Sequence, residues 1–161
     1  MAQQFFMTLE GMSQGPIKGS NNYRGHQDEI LCHALQHSVY RPYEEITGKI
    51  GGQRIHGLLK ITKSWDTSSP LLYQAVCTGE RMKNVTLKFY RQSLEGQEEH
   101  FFTITLTNAS IIEVRPVMYN VFEPDKKGWD HLEEISFNYE KIQWSCELPN
   151  PVRSEDKLLN L

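Results

Sequence analysis

Apolar and polar residues alternate at period two through most of this 161-residue chain, and no other feature restricts its fold as much. Between Met82 and Gln92, Val85, Leu87 and Phe89 alternate with Thr86, Lys88 and Tyr90, which puts successive side chains on opposite faces of a strand. The turn Leu94–Gln97 follows, with Gly96 free to take a positive φ. In the next run Phe102, Ile104 and Leu106 share a face opposite Thr103, Thr105 and Thr107. The two runs predict a β-hairpin. Ser110–Tyr119 reads as a third strand, which Pro116 limits to an edge or a strand end. Ala2–Leu9, Asp28–Tyr40 and Arg54–Lys63 are further strand candidates. From His131 to about Glu147 the apolar parity changes: Ile135, Phe137 and Tyr139 are odd, whereas Ile142, Trp144 and Cys146 are even. A strand cannot change faces without an extra residue, so a β-bulge is expected near Glu140–Lys141.

One segment breaks the alternation. "DTSSPLLYQAVCTG", Asp66–Gly79, offers Ser69 as an N-cap, Pro70 for the first helical position and Gly79 for a left-handed C-terminus. Leu71, Leu72, Ala75 and Val76 fall within a stripe of about 140° on a helix. A helix over 69–78 is too short to persist alone, so it must lay that stripe on a sheet. Two segments have no period, Arg41–Gln53 and Asn120–Asp130. Loops of that length in compact domains tend to be functional. The expected organisation is one domain over 1–147 and a loosely held tail over 148–161, with no internal repeat.

Composition removes several function classes. With 17 Lys and Arg against 20 Asp and Glu and no basic stripe, nucleic acid is not an expected partner. No stretch approaches the roughly 18 apolar residues of a membrane span. Cys32, Cys77 and Cys146 lack a C-x-x-C spacing, so neither a disulfide framework nor a zinc knuckle is indicated. The N-terminus has no signal-peptide pattern, and synthesis in the cytoplasm is expected.

No catalytic constellation emerges either. His33 and His37 are four apart, which on a helix would place both on one face as metal ligands, but their segment reads as a strand and no H-E-x-x-H arrangement occurs. Gly48–Gly52 carries Gly-Lys, yet Ile50 stands where a phosphate loop needs Ser or Thr. No G-x-S-x-G occurs, and Cys77 near a helix C-terminus is a poor thiolate. Neighbouring carboxylates, Glu98–Glu99 and Glu133–Glu134, point to opposite faces of a strand. Trp65, Trp129 and Trp144 are expected to pack rather than to form a sugar platform. No catalytic, cofactor or metal site is expected.

The block Arg54–Arg91, "RIHGLLKITKSWDTSSPLLYQAVCTGERMKNVTLKFYR", resembles the signature region of the haemolysin-coregulated protein (Hcp) family, the tube proteins of bacterial type VI secretion systems. The matching points run in order: Arg54-Ile55-His56, Thr62-Lys63, Asp66, Ser69-Pro70, Leu72-Tyr73, Ala75-Val76, Thr78-Gly79, Lys83 and Tyr90. Upstream, "HSVYRPYEEITGKIGGQ" is similar to the family's strand and long "TGK" loop. Downstream, Arg115-Pro116-Val117-Met118 and "HLEEISFNYEKIQWSC" resemble its later strands, and the likeness covers about residues 4–147. Arg115 stands where Asn is common, and Cys146 replaces an aromatic.

The resemblance implies a mainly β fold, a compact two-sheet antiparallel β-barrel with one short flanking helix. It also implies homohexameric rings stacked into a tube, a surrounding contractile sheath, a trimeric spike, a baseplate and small effectors carried in the lumen. Export would run through the machine without a cleaved signal peptide. On this footing Arg41, Tyr43, Glu44, Glu45 and Lys49 in the long loop are candidate subunit or ring contacts. Tyr73 and Gln74, on the outer side of the helix, are a second candidate contact. A ligand- or carbohydrate-binding β-barrel is the alternative.

Overall fold

The computed structural model describes residues 3–126 and 131–158. Its strands are β1 (Phe5–Gly11), β2 (Gly15–Ile17), β3 (Ile30–Gln36), β4 (Val39–Tyr40), β5 (Ile55–His56) and β6 (Leu59–Ser64), before the helix α1 (Ser69–Thr78). After α1 come β7 (Arg81–Gln92), β8 (Glu98–Val117), β9 (Leu132–Asn138), β10 (Lys141–Cys146) and β11 (Val152–Lys157). The order β8-β7-β1-β3-β6-β9 closes because β9 pairs again with β8, giving an antiparallel barrel of six strands. Closure leaves these strands no open edge. The interior is filled: Met7, Leu59, Ile61, Leu87, Leu106, Ile135 and Phe137 are fully buried.

The β7–β8 hairpin forms as the alternation requires. Val85, Leu87 and Phe89 stand opposite Leu106, Ile104 and Phe102, and Gly96 turns the chain with φ 82°. The expected third strand is not separate, since β8 runs unbroken for 20 residues. It pairs with β7 as far as Ser110, and Pro116 lies beyond that point, opposite Glu133 of β9.

The parity change at the end of the chain is accommodated by a break rather than by the expected bulge. β9 stops at Asn138 and β10 starts at Lys141, yet Ser110↔Asn138 and Thr107↔Lys141 keep one register along β8. Opposite the gap Asn108 adopts φ 52°, so both strands kink together and no residue is inserted. The register shift lies on β8 instead, between Ile111 and Glu113.

The tail is a second correction. Residues 152–157 form β11, paired with β10 from Cys146↔Val152 to Lys141↔Lys157. Inter-strand hydrogen bonds therefore hold a segment expected to be loose. Asn120–Asp130 is only partly described: Pro124–Lys126 form a 3-10 turn, and Trp129 lies outside the described residues.

The helix occupies 69–78 as expected and ends at Gly79, φ 72°, whose N–H bonds to Ala75 O. Leu72 and Ala75 are buried against the barrel core, but Leu71 faces outward, so the buried stripe is narrower than the sequence indicates. The N-cap is Ser68, not Ser69. Ser69 Oγ instead turns inward, accepts from Lys63 Nζ at 3.1 Å and donates to Glu133 Oε1 at 2.6 Å.

Lys63 and Glu133 are completely buried, 2.5 Å apart, on the adjacent strands β6 and β9. Lys63 Nζ also donates to Asp66 Oδ1 at 2.9 Å and Ser64 O at 3.0 Å. The ammonium thus spends its donors on groups that open the helix. Asp66 in turn accepts from Ser68 N at 2.9 Å and from the Ser68 hydroxyl. Burial favours protonation of Asp66, but the bonds from Ser68 and Lys63 outweigh it and hold its pKa below the usual value. Removing one partner of such a pair strands a buried charge. Lys63→Met is therefore expected to cost about 3–5 kcal/mol in denaturant unfolding, while Lys63→Met with Glu133→Leu recovers most of the loss.

Candidate assembly interface

β3–β4 and β5–β6 are the two sides of one long hairpin. Its lower part belongs to the barrel, with Gln36↔Lys60 in register. Its upper part leaves the barrel as an arm, paired at Val39↔His56, Tyr40↔Ile55 and Tyr43↔Ile50. The bend falls at 37–38 and 57–58. There Gly57 N donates to Ser38 O at 2.9 Å, and a Cβ on Gly57 would meet Ser38 Oγ at 2.9 Å. A larger residue at 57 would have to turn the Ser38 hydroxyl aside.

The arm's tip is a closed turn. Glu44 N donates to Lys49 O and Gly48 N to Glu44 O, at 2.9 and 2.8 Å, with Gly48 at φ 68°. Thr47 Oγ1 donates to Glu44 Oε2 at 2.6 Å. The structure therefore gathers Arg41, Tyr43, Glu44, Glu45 and Lys49 on one exposed projection. Beside Tyr43, 64% exposed, it also reveals two residues that the sequence reading passed over, Ile46 at 93% and Ile50 at 60%. These apolar side chains are held out in solvent on a paired hairpin. The signal was available, as Ile46 and Ile50 are isolated apolar residues in a segment of Gly, Pro and charge.

Tyr73 and Gln74 lie elsewhere. The arm springs from the Leu59 end of β6 and α1 from its Ser64 end, roughly 17 Å apart along the strand. Gln74 is exposed, whereas Tyr73 is half-buried, and burial with the nearby Glu133 carboxylate raises its phenol pKa. The two candidate contacts are thus separate surfaces.

The base of the arm is fastened by a polar cluster that sequence spacing could not show, because its members come from β5 and the residue before it, from β11, and from the breaks after β3 and β9. Tyr139, at the β9–β10 break, places its hydroxyl 2.7 Å from His37 Nε2 and 2.7 Å from His56 Nδ1. His56 Nε2 is 2.6 Å from Asp156 Oδ2 on β11, and Arg54 donates to both Asp156 oxygens at 2.9 and 3.2 Å. Bonds from Arg54 and then His56 hold the Asp156 pKa down at about 2. Burial pushes the Tyr139 phenol up. Burial and then the charge of His56 push the His37 pKa down. His33 lies apart, 2.8 Å from Ser64 Oγ, and no cluster of three metal-binding side chains occurs among the described residues. Glu133 and Glu134 do diverge, the first to Lys63 and the second to Arg115 at 2.6 Å.

A closed barrel with one flanking helix and a projecting hairpin can be compared with known proteins. The family model described as "Type VI secretion system effector, Hcp" matches residues 6–146. The chain belongs to the Hcp family. It is 34% identical to the "Major exported protein" of Pseudomonas aeruginosa, over 97% of this chain and 96% of that one. Among solved structures, a doubly substituted Hcp1 from Escherichia coli EAEC 042 superposes with TM-score 0.86 at 34% identity, covering 98% of this chain and all of that one. The secreted Hcp3 of P. aeruginosa gives 0.80 at 29%, covering 99% and 100%. As an Hcp, the chain is a secreted tube protein of type VI secretion.

Asp156 ties the tail of this Hcp to its arm, and its depressed pKa fixes the pH dependence. The contribution is complete above the unfolded value of 3.8 and is lost as pH falls through about 2. The stability difference between the native chain and Asp156→Asn, measured by denaturant unfolding, is accordingly constant at neutral pH and shrinks across that acidic window.

Proposed function

We propose that this Hcp is a non-catalytic building block whose copies form six-membered rings, and that the arm joins one ring to the next. The observation that carries the proposal is the arm itself. A hairpin that closes its own hydrogen bonds and still holds Tyr43, Ile46 and Ile50 in solvent is built for a surface on another copy. A ring needs a heterologous contact, in which one surface meets a different one on the next copy. Separate surfaces at the two ends of β6 supply the means: the Tyr73–Gln74 side of α1 at the seam within a ring, and the arm between rings.

The mixed charges of Arg41, Glu44, Glu45 and Lys49 around this apolar tip suit a contact that forms and dissolves, because exposed ion pairs contribute little and are screened by salt. The family membership supports the remaining partners: a spike at the tube's end, a contractile sheath around it, a baseplate that templates it, and small effectors in the ring's lumen. The single chain's own barrel is packed with side chains, so cargo would occupy the space between copies. Synthesis in the cytoplasm and export through the machine complete the proposal.

Negative-stain images of concentrated protein should show annular particles and short stacks. Ile46→Asp with Ile50→Asp should leave the annuli and abolish the stacks, whereas stacks that persist would remove the arm from the inter-ring contact. Tyr73→Ala with Gln74→Ala is expected to weaken the annuli, and intact rings in that variant would take the helix out of the seam.

A further inference from the structure

The cluster at the arm's base has a property that its packing role does not require. Asp156, ionised at neutral pH, can only accept, so the His56 Nε2 facing it carries a proton. In neutral His56 the other nitrogen, Nδ1, is then an acceptor, and the Tyr139 hydroxyl donates to it. The Tyr139 oxygen is left to accept from His37 Nε2. The chain of donors therefore runs one way, His37 to Tyr139 to His56 to Asp156. One proton added at the other ring nitrogen of His37 keeps every bond, and one added at His56 Nδ1 keeps them once the Tyr139 hydroxyl turns to His37 Nε2 and His37 takes the opposite tautomer. Adding two does not, because both imidazolium rings then donate to Tyr139 and its own hydrogen loses its acceptor.

We propose that His37, Tyr139, His56 and Asp156 form an acid-released latch that fixes the arm to the barrel wall and to β11. The groups around it define its charge balance. Arg54 and His56 come from the returning side of the arm, Asp156 from β11, and Trp144 of β10 stacks on His56 with ring centroids 6.5 Å apart. Glu140, beside Tyr139, is paired with Arg81 at 3.2 Å. Lys60 of β6 and Glu113 of β8 line the cleft of about 530 Å³ that also contains His37. With both histidines charged, His37, His56, Arg54 and Lys60 stand against Asp156, Glu113 and Glu134, the last 4.0 Å from Lys60. The His37 and His56 ring centroids are only 6.4 Å apart, which makes the second proton costly.

The sign follows from linkage. A histidine whose pKa is lower in the folded chain than its unfolded value of 6.5 favours the latched state at neutral pH and opposes it as pH falls below that value. The inference concerns how the arm is attached, so it stands whether or not the arm meets another copy.

Hydrogen exchange on the full chain, expressed as protection factors, tests it at about pH 7.5 and about pH 5, on either side of the histidine range. Amides in 39–56 and 152–157 should lose about tenfold in protection at the lower pH, the scale of one lost hydrogen bond, while those of β7 and β1 do not change. Tyr139→Phe should show the low value at both pH values. His37→Gln cannot be charged and can still accept from Tyr139, so its arm should remain protected at the lower pH. Equal arm protection at both pH values in the native chain would overturn the latch. So would a His37→Gln variant that loses protection as the native chain does, an outcome that can be read even if Tyr139→Phe fails to fold.

Discussion

The buried pair Lys63–Glu133 is the interaction on which the rest of the structure depends. Neither charge reaches solvent, and a buried charge is costly unless it is paired and hydrogen-bonded, as Glu133 is through Oε1 though not through Oε2. Lys63 meets that demand by recruiting Asp66, Ser64 and Ser69. Those bonds stop β6 after Ser64 and start the helix at Ser69. The one α-helix among the described residues is therefore a consequence of solvating an ammonium inside a barrel wall. It packs there because Leu72 and Ala75 complete the core over the same spot.

β6 has the two proposed contact surfaces at its two ends. At its Ser64 end the ion pair fixes the helix, and at its Leu59 end the histidine cluster fixes the arm. Between them Leu59 and Ile61 face the core, and Lys63 follows at the same parity with no exposure. A strand whose inward positions run Leu, Ile, Lys is rigid, since a register slip of one residue would put the lysine in water and Thr62 in the core. Rigidity here determines how two distant surfaces are oriented relative to each other. A ring that stacks needs that fixed relation.

Much of this was legible from residues alone. The alternation in β7 and β8 set the hairpin, and Pro70 with Gly79 set the extent of the helix. What failed to show was tertiary. Ser69 reads as a cap by its position, but a lysine six residues upstream claims its hydroxyl. The tail from Leu148 reads as loose because of its prolines and charges, yet β10 has an open edge that it fills, and charged residues suit the outermost strand of a sheet. The parity change near Tyr139 was correctly located and wrongly explained, since a kink shared by β8 does the work assigned to a bulge. Of the two candidate contacts, the long arm was visible as a segment without period. The cluster that holds it hydrogen-bonds residues as much as 102 positions apart in the chain to each other directly, which no local pattern encodes.

The central claim is that this fold is one unit of a ring, and light-scattering mass on the purified protein tests it most directly. Six copies of the 18.7 kDa chain form a closed ring of about 112 kDa, and a particle of that mass is the expected result. A species that stays near 18.7 kDa at high protein concentration would contradict it.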